Sequence, residues 1–367
     1  MASQPGELLD NRYRLTEELG KGGMGVVWKA RDLTLERTVA IKILRREILD
    51  AEAQERLKRE ARAAAQLTHP NIVTIFDVVL GSDNTYLVMQ HVGGESLRTW
   101  QDRIDLSWTD VVELAKQLTA ALIYSHASGI VHRDLKPENV MVTQRRAPRE
   151  RGDADGPFPY HITLLDFGLA KPFESTRLTQ SGIFVGTASY MSPEQVTGAA
   201  VDGRSDIYSL GVILFELVCK RRPFEGDSFQ NILFRHVNEK PRPLSHINSG
   251  VDPELEQIVM RCLEKAPDRR FSDAEALLAE LERVGRMLTA RAPELVATSL
   301  AVAPAPAEKP AATVFIGREQ ELRDLRLRYQ KAHMGEAQLV MLSGDAGVGK
   351  TRLWQELASQ LSDSGTL

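Results

Sequence analysis

Three side chains between His132 and Asn139 could together support catalysis on an anionic substrate. Asp134 could accept a proton, Lys136 could neutralise an anion, and Asn139 could bind a metal ion through its amide oxygen. Pro137 interrupts any helix, and the apolar residues after Asn139 are typical of a strand. The pattern predicts a rigid loop between buried strands, where catalytic groups are often placed. A solvated charged turn is the alternative interpretation.

A glycine-rich segment near the N-terminus could bind a polyphosphate. Gly20, Gly22 and Gly25 separate two strand-like stretches. Glycines have no Cβ to keep backbone N–H groups away from phosphate oxygens. Because β-branched residues follow the glycines directly, the pattern favours a hairpin over the strand-to-helix turn of a dinucleotide-binding fold. A hairpin without any ligand is the alternative.

Three charged groups are expected to accompany these segments. Lys42 is the single lysine in the apolar stretch 38–44, and burying its stem is tolerable only where its ammonium meets anions. Of the glutamates in the following helical stretch, Glu60 is the preferred partner because it lies among alanines that would pack closely on a sheet. A solvated helix charge is the alternative for Glu60. Asp166 ends a predicted strand just before Phe167-Gly168, which suits a metal ligand near phosphates.

These segments resemble the motifs of protein kinases, and they occur in the same order. The carriers of the resemblance are the glycine-rich segment 20–25, Val-Ala-Ile-Lys at 39–42, His-Arg-Asp-Leu-Lys-Pro-Glu-Asn at 132–139, Asp-Phe-Gly at 166–168 and Ser-Pro-Glu at 192–194. The resemblance covers about residues 13–284 and is nearest to bacterial serine/threonine kinases. It implies an α+β, bilobal fold with a β-rich N-lobe (13–92), a helical C-lobe (93–284) and ATP between them.

The resemblance also implies roles for individual residues. Asp134 would orient the substrate hydroxyl and accept its proton, and Lys136 would neutralise the γ-phosphate. Asn139 and Asp166 would hold Mg²⁺, with Mn²⁺ as an alternative. The ATP-binding residues that it implies are Gly20, Lys21, Gly22, Gly23, Gly25, Val27, Ala40, Lys42, Glu60, Met89, Gln90 and Val92. Kinases often carry an acidic residue where Gln90 stands, but this hinge contacts adenine through its backbone.

The resemblance also implies a means of regulation and two contacts that stabilise the site. Thr179 and Ser181 are the candidate activation-loop phosphosites, and Arg133 offers a guanidinium for a phosphate there. Trans-autophosphorylation would involve a dimer. By resemblance, Asp206 hydrogen-bonds the backbone of the catalytic loop, and Arg270 pairs with Glu194. The polar stretch 144–160 is longer than the usual hairpin of the family and is interpreted as an exposed insertion, with a partner-binding loop as the alternative.

The chain continues beyond the kinase-like region. After a tail at 1–12 and the region 13–284, an Ala/Pro-rich stretch at 285–313 predicts a semi-extended linker. Residues 314–367 contain Gly344, Gly349, Lys350 and Thr351 in a complete Gly-x-x-x-x-Gly-Lys-Thr pattern between a predicted strand and a predicted helix. This looks like the start of an AAA-like or STAND-type P-loop NTPase module. The chain ends before a Walker B strand, so the module is expected to be incomplete.

Composition limits the other functions. The 367 residues are 43% hydrophobic and 26% charged, as in ordinary globular proteins, and the net charge of −4 gives no reason to expect nucleic-acid binding. No signal peptide or membrane-spanning run is evident. Cys219 and Cys262 are predicted to be buried thiols in a reducing compartment. A cytoplasmic protein that binds nucleotide and protein substrates is therefore expected.

Two other classes of protein would share this sequence pattern. A pseudokinase scaffold would bind partners without catalysis, but such proteins lack one of Lys42, Asp134 or Asp166, and none is missing here. A signal-transducing NTPase regulator would use the kinase only as an input domain. The second alternative is compatible with kinase activity.

Overall fold

The computed structural model describes residues 4–23, 25–45, 51–80, 85–144, 158–166 and 188–301, and residues 320, 321, 323–325, 327 and 328. The chain divides into two compact units, Met1–Val296 and Ala297–Leu367. All elements described below begin in the first unit.

An antiparallel sheet forms the N-terminal part of this unit. Its strands are β1 (Leu8–Leu9), β2 (Tyr13–Lys21), β3 (Gly25–Asp32), β4 (Arg37–Leu44), β5 (Ile75–Leu80) and β6 (Thr85–Gln90). They pair in the spatial order β1-β2-β3-β4-β6-β5. Helix α1 (Ala51–Ala64) places Ala61 and Ala64 in a small apolar cluster with residues of β4, β5 and β6.

The alternation of side chains along β4 places Lys42 on the same face of the sheet as Ala40. Val39 and Ile41 belong to the apolar cluster on one face, together with Trp28 of β3. Ala40 belongs to a different cluster on the opposite face. Because side chains two positions apart in a strand share a face, Lys42 lies on the face of Ala40.

The C-terminal part of the unit is mainly helical. Its helices are α2 (Leu97–Trp100), α3 (Trp108–Ala127), α4 (Pro193–Thr197), α5 (Gly203–Cys219), α6 (Phe229–Asn238), α7 (Pro253–Cys262) and α8 (Ala274–Ala301). Every residue of α5 from Ser205 to Val218 is buried, so α5 is the central helix of this part. Together with the N-terminal sheet, these helices confirm the predicted α+β architecture.

A small sheet carries the loops of the site. Its strands are β7 (Glu95–Ser96), β8 (Val140–Gln144) and β9 (Tyr160–Leu164), paired in that order. The loop 132–139 enters β8, and Asp166 follows β9. The backbone N–H of Val73 donates to the carbonyl of Leu164 at 2.9 Å, so β9 is hydrogen-bonded to the segment that leads into β5.

The linker prediction is wrong in its first part. Helix α8 continues to Ala301, so residues 285–301 are helical and not semi-extended. Four alanines and three leucines lie in this stretch, and their high helix propensity outweighs its single proline, Pro293. Residues 302–313 lie outside the described part of the chain.

Among the described residues, no helix combines the length and the apolar composition that crossing a bilayer requires.

Candidate active site

The loop 132–139 is held by a buried carboxylate from α5. Asp206, 1% exposed, accepts hydrogen bonds from the backbone N–H groups of His132 (2.8 Å) and Arg133 (2.9 Å). Nε2 of His126 lies 2.8 Å from the same carboxylate. Arg133 has a φ of 62°, a left-handed conformation that is unfavourable for most side chains. The predicted contact between Asp206 and the loop backbone is confirmed, and it stabilises the strained residue.

The three chemically active side chains of the loop meet around Asp134. Nζ of Lys136 donates to Oδ2 of Asp134 at 3.0 Å. Nδ2 of Asn139 donates to the carbonyl of Asp134 at 2.8 Å and lies 3.2 Å from its Oδ2. The Asp134 and Lys136 side chains are only 14% and 18% exposed. The structure therefore brings together the carboxylate, the ammonium and the amide that the sequence singled out.

Lys42 and Asp166 form the opposite side of the site. Nζ of Lys42 donates to Oδ2 of Asp166 at 2.7 Å, across 124 positions of sequence. Asp166 has a φ of 46°. The backbone of its neighbour Leu165 is held by hydrogen bonds with the catalytic loop. The N–H of Leu165 donates to the carbonyl of Asn139 at 2.8 Å, and Nε2 of His132 lies 2.8 Å from the Leu165 carbonyl. Backbone contacts thus tie Asp166 to the loop that carries Asp134.

Glu60 lies on α1, and its Oε2 is buried. The neighbouring Ala61 packs against the sheet, as the Ala-rich pattern predicted. The contact of Lys42 that the structure shows is with Asp166, so the pairing of Lys42 with Glu60 stays a prediction.

An apolar cluster lies next to Lys42. Four residues implied as ATP-binding, Val27, Ala40, Met89 and Val92, pack together with Val73 and Leu165. The backbone N–H of Gln90 donates to the carbonyl of Thr74 at 2.9 Å. A flat apolar ring could therefore pack against this cluster. It could form hydrogen bonds with the backbone groups of 90–92 other than the N–H of Gln90.

The glycines of the segment 20–25 have different roles. A Cβ on Gly25 would collide with the carbonyl of Ile43, so this glycine is needed for close approach of β3 and β4. A Cβ on Gly20 or Gly22 would meet no atom within 4 Å. The turn is closed by the N–H of Gly22, which donates to the carbonyl of Gly25 at 2.9 Å. Lys21 and Gly23 are exposed beside it. Open space above Gly20 and Gly22 is compatible with backbone contact to a phosphate.

A buried ion pair supports the site from the helical part. Arg270 donates to both carboxylate oxygens of Glu194, at 2.7 and 2.9 Å, which confirms the predicted pair. Ser205 donates to Glu194 at 2.5 Å. Burial alone would raise the pKa of Glu194, but the hydrogen bonds from Arg270 and Ser205 outweigh it and hold this pKa below its usual range. Arg270 also donates to backbone carbonyls of Arg204, Glu264 and Lys265.

A second charged network was missed by the sequence prediction. Arg98 of α2 donates to Glu138 (2.9 Å) and Glu216 (2.7 Å) and contacts the hydroxyl of Tyr190. Tyr190 in turn donates to Glu216 at 2.5 Å. The signal was present in the sequence, because a glutamate in the predominantly apolar second half of helix α5 requires a partner.

Several predicted residues lie outside the described part of the chain. These are Thr179 and Ser181, Phe167 and Gly168, most of the insertion, and the P-loop residues Gly344, Gly349, Lys350 and Thr351. Their assignments stay predictions.

Comparison with known proteins agrees with this geometry. Residues 13–281 match the family described as protein kinase domain, and residues 314–367 match the AAA ATPase domain. A probable serine/threonine-protein kinase of Clostridium acetobutylicum is 38% identical over 281 residues, which cover 76% of this chain and 41% of the relative. The serine/threonine-protein kinase pkn3 of Myxococcus xanthus is 37% identical over 338 residues, which cover 88% of this chain and 58% of the relative. The chain thus spans about half the length of these relatives.

The kinase domain of Mycobacterium tuberculosis PknI has a similar structure. The TM-score is 0.60 at 25% identity, over 77% of this chain and 99% of the PknI chain. The chain therefore belongs to the protein kinase family, with a kinase domain of the bacterial serine/threonine type ahead of a segment that matches an AAA ATPase domain.

Proposed function

We propose that the region 13–284 transfers the γ-phosphate of ATP to serine and threonine hydroxyls of proteins, in bacterial signal transduction. The observation that carries the proposal is the meeting of Asp134, Lys136 and Asn139 on a loop whose backbone is also bonded to the segment carrying Asp166. Phosphoryl transfer depends mainly on positioning and on neutralising charge, and this arrangement offers both.

The proton of the acceptor hydroxyl goes to Asp134 in this mechanism. Lys136 and Asn139 already donate to Asp134, so the carboxylate is held in one orientation toward an incoming hydroxyl. Lys136 is near enough to share its charge between Asp134 and a γ-phosphate. Its ammonium would offset the negative charge that accumulates during transfer.

The metal site is proposed at Asn139 and Asp166. Both offer oxygen ligands, which Mg²⁺ and Mn²⁺ prefer, and the hydrogen bond from Leu165 to Asn139 keeps the two residues adjacent. When bound, the metal would neutralise phosphate charge. Lys42, now paired with Asp166, would turn to the α- and β-phosphates, and Glu60 would orient it.

The nucleotide is proposed to lie between the glycine segment and the apolar cluster. Val27, Ala40, Met89 and Val92 would enclose the adenine, whose edge would bond the backbone of Gln90 to Val92. Gly20, Lys21, Gly22 and Gly23 would cover the phosphates, while Gly25 serves the strand packing that shapes the turn.

The remaining proposals concern regulation and organisation. Phosphorylation of Thr179 or Ser181, in trans within a dimer, would activate the kinase, with Arg133 as a partner of the phosphate. The domain boundaries are proposed at 13–284 for the kinase and 314–367 for the P-loop segment, supported by the two family matches. The two free cysteines, Cys219 and Cys262, support a cytoplasmic location.

A phosphotransfer assay tests the proposed function. The 367-residue chain is incubated with labelled ATP, Mg²⁺ and an acceptor protein, and the labelled amino acids are identified. We expect phosphoserine and phosphothreonine from the wild type and from D105N, a control at an exposed aspartate. D134N should bind nucleotide, as judged by thermal shift, without transferring phosphate. Undiminished transfer by D134N would refute the role of Asp134.

A further inference from the structure

The loop between α5 and α6 carries a guanidinium that the protein uses only in part. Nη1 of Arg222 donates to the hydroxyl of Ser189 at 2.6 Å. Ser189 is fully buried, whereas Arg222 is half-buried. An arginine has five N–H donors and a permanent charge, and a neutral hydroxyl leaves that charge uncompensated. No carboxylate of the described residues forms an ion pair with Arg222, so most of its donors remain available to a ligand.

Other arginines of the helical part are paired inside the chain. Arg98 donates to Glu216, and the buried Arg270 donates to Glu194, each at 2.7 Å. A cation that is partly removed from water without a counter-charge is unfavourable, and these two pairs show how the fold usually avoids it. Arg222 is therefore better explained by an anion that comes from outside the chain than by a structural ion pair.

The loop that carries Arg222 is held at both ends. Nζ of Lys220 donates to the carbonyls of Gln101 at 3.0 Å and Ile104 at 3.3 Å. At the other end, Phe224 is 2% exposed and belongs to the main apolar core. A guanidinium on a fixed loop loses less conformational entropy on binding than one on a flexible chain.

Ser189 connects this guanidinium to the segment beside the catalytic loop. The carbonyl of the next residue, Tyr190, accepts a hydrogen bond from α5 at 2.8 Å. Farther along the same segment, Gln195 donates to the carbonyl of Arg133 at 2.8 Å. Six positions separate Ser189 from Gln195, so the two residues are at most about 21 Å apart, a distance that an extended substrate covers in about six residues. A residue near the acceptor hydroxyl of a bound substrate can therefore reach Arg222.

We infer that Arg222 forms an anion-binding subsite that recognises a phosphorylated serine or threonine, or a carboxylate, near the acceptor hydroxyl of a protein substrate. Arg222 is then a specificity-determining residue, a role that rests on the proposed kinase function. A phosphate is the stronger ligand of the two, because its larger charge and its three acceptor oxygens engage more of the available N–H donors.

Binding of a phosphopeptide tests the subsite without any need for phosphate transfer. Each fluorescein-labelled peptide has alanine at the acceptor position and one phosphoserine, placed in turn at each of about six positions on either side. Fluorescence anisotropy at fixed ionic strength measures its affinity for the full chain, relative to the unphosphorylated peptide. The wild type should bind at least one phosphopeptide about tenfold more tightly, the effect of one charge-assisted hydrogen bond.

Variants at two adjacent arginines separate the contact from net charge. R222A should lose the preference for the phosphopeptide. R221A is the matched control, because Arg221 is the exposed neighbour and its removal takes away the same charge. R222K keeps the charge without the planar fork and should retain only part of the preference. Where R222A does not fold, R222Q keeps a side chain of similar length and should lose the preference as well.

Three results would overturn the subsite. One is equal affinity of the wild type for phosphorylated and unphosphorylated peptides at every position. Another is an equal loss of preference in R221A and R222A, which would reduce the effect to net charge. The third is a preference that disappears when the wild type is first incubated with Mg-ATP and returns after phosphatase treatment. That result would assign Arg222 to a phosphate on the chain itself instead of one on the substrate.

A transfer assay tests the effect on specificity. The same peptides now carry threonine at the acceptor position, and the ratio of kcat/KM for the phosphorylated to the unphosphorylated peptide is measured. This ratio should be about ten for the wild type and R221A at the favoured position, and about one for R222A. A ratio that R222A leaves unchanged would refute the specificity role. A wild type that transfers no phosphate to any peptide would refute the proposed function and leave the binding result standing.

Discussion

At the scale of single residues, the site contains two pairs of opposite charges that neutralise each other. Lys42 contacts Asp166 at 2.7 Å, and Lys136 contacts Asp134 at 3.0 Å. Each lysine is less than one-fifth exposed, with side-chain exposures of 16% and 18%. Unpaired charges would be costly at such positions, so each carboxylate stabilises the lysine that it contacts.

Replacing Lys42 tests whether its ammonium acts on ATP. K42M keeps the length of the side chain and removes the charge, so we expect kcat to fall by about 10²–10³, as for other removed electrostatic contacts. Steady-state phosphotransfer at varied ATP concentration measures the loss. K29M is the control, since Lys29 lies on the adjacent strand β3 and pairs with the exposed Glu17. Similar kinetics for K42M and K29M would contradict the assignment.

The sequence was sufficient to predict the motif residues of the site, but it was insufficient to predict all the contacts that hold them in place. Asp134, Lys136 and Asn139 are close in sequence, so their meeting followed from the loop itself. Asp206 and Arg270 could be assigned because they match motifs of the family. Arg98 and Glu216 could not be paired, because they are 118 positions apart and neither belongs to a motif used for the prediction. The contact of Lys42 with Asp166 likewise depends on how two distant strands are placed.

At the scale of elements, Arg270 joins three parts of the helical region. It pairs with Glu194 on α4 and donates to the carbonyl of Arg204 on α5 and to those of Glu264 and Lys265 after α7. R270A would leave Glu194, itself 6% exposed, without this counter-charge. We therefore expect a loss of about 3–5 kcal/mol in the free energy of unfolding.

Denaturant unfolding of R270A measures that loss, with R269A as its control because the Arg269 side chain is exposed. R269A should change the free energy of unfolding by less than about 0.5 kcal/mol. Equal stabilities of the two variants would show that the buried pair does not hold these helices together.

The continuous pairing of β8 with β9 indicates that the insertion between these strands is dispensable. The register from Val140 opposite Leu164 to Gln144 opposite Tyr160 is continuous, so pairing does not depend on the residues between the strands. Deleting 145–155 should change both phosphotransfer and the melting temperature little, because loop-closure entropy varies slowly with length. V142P, which removes a donor within the ladder, is the destabilising comparison. A large loss of activity in the deletion variant would assign the insertion a functional role.

At the scale of the whole molecule, the large helical core contains a histidine that resists protonation. His236 of α6 is fully buried between Tyr208 and Phe224, and its Nδ1 lies 2.9 Å from the Tyr208 hydroxyl. Burial is the main cause that lowers the pKa of His236 to about 3, and the charge of Lys265 lowers it further. Nζ of Lys265 donates to the His236 carbonyl at 2.6 Å, so this positive charge is held near the ring.

This buried histidine makes the stability of the kinase domain depend on pH. Below an ordinary histidine pKa of about 6.5, the unfolded chain binds a proton that folded His236 does not bind until the pH approaches its lowered pKa. The free energy of unfolding should therefore decrease with falling pH in that window, by up to about 1.4 kcal/mol per pH unit from this group. Urea unfolding at several pH values between the two pKa values measures the slope. H236F should reduce the slope by about one proton equivalent, whereas H246F, at an exposed histidine, should leave it unchanged. Equal slopes for the wild type and H236F would show that His236 is protonated in the folded protein, in conflict with its packing between two aromatic rings.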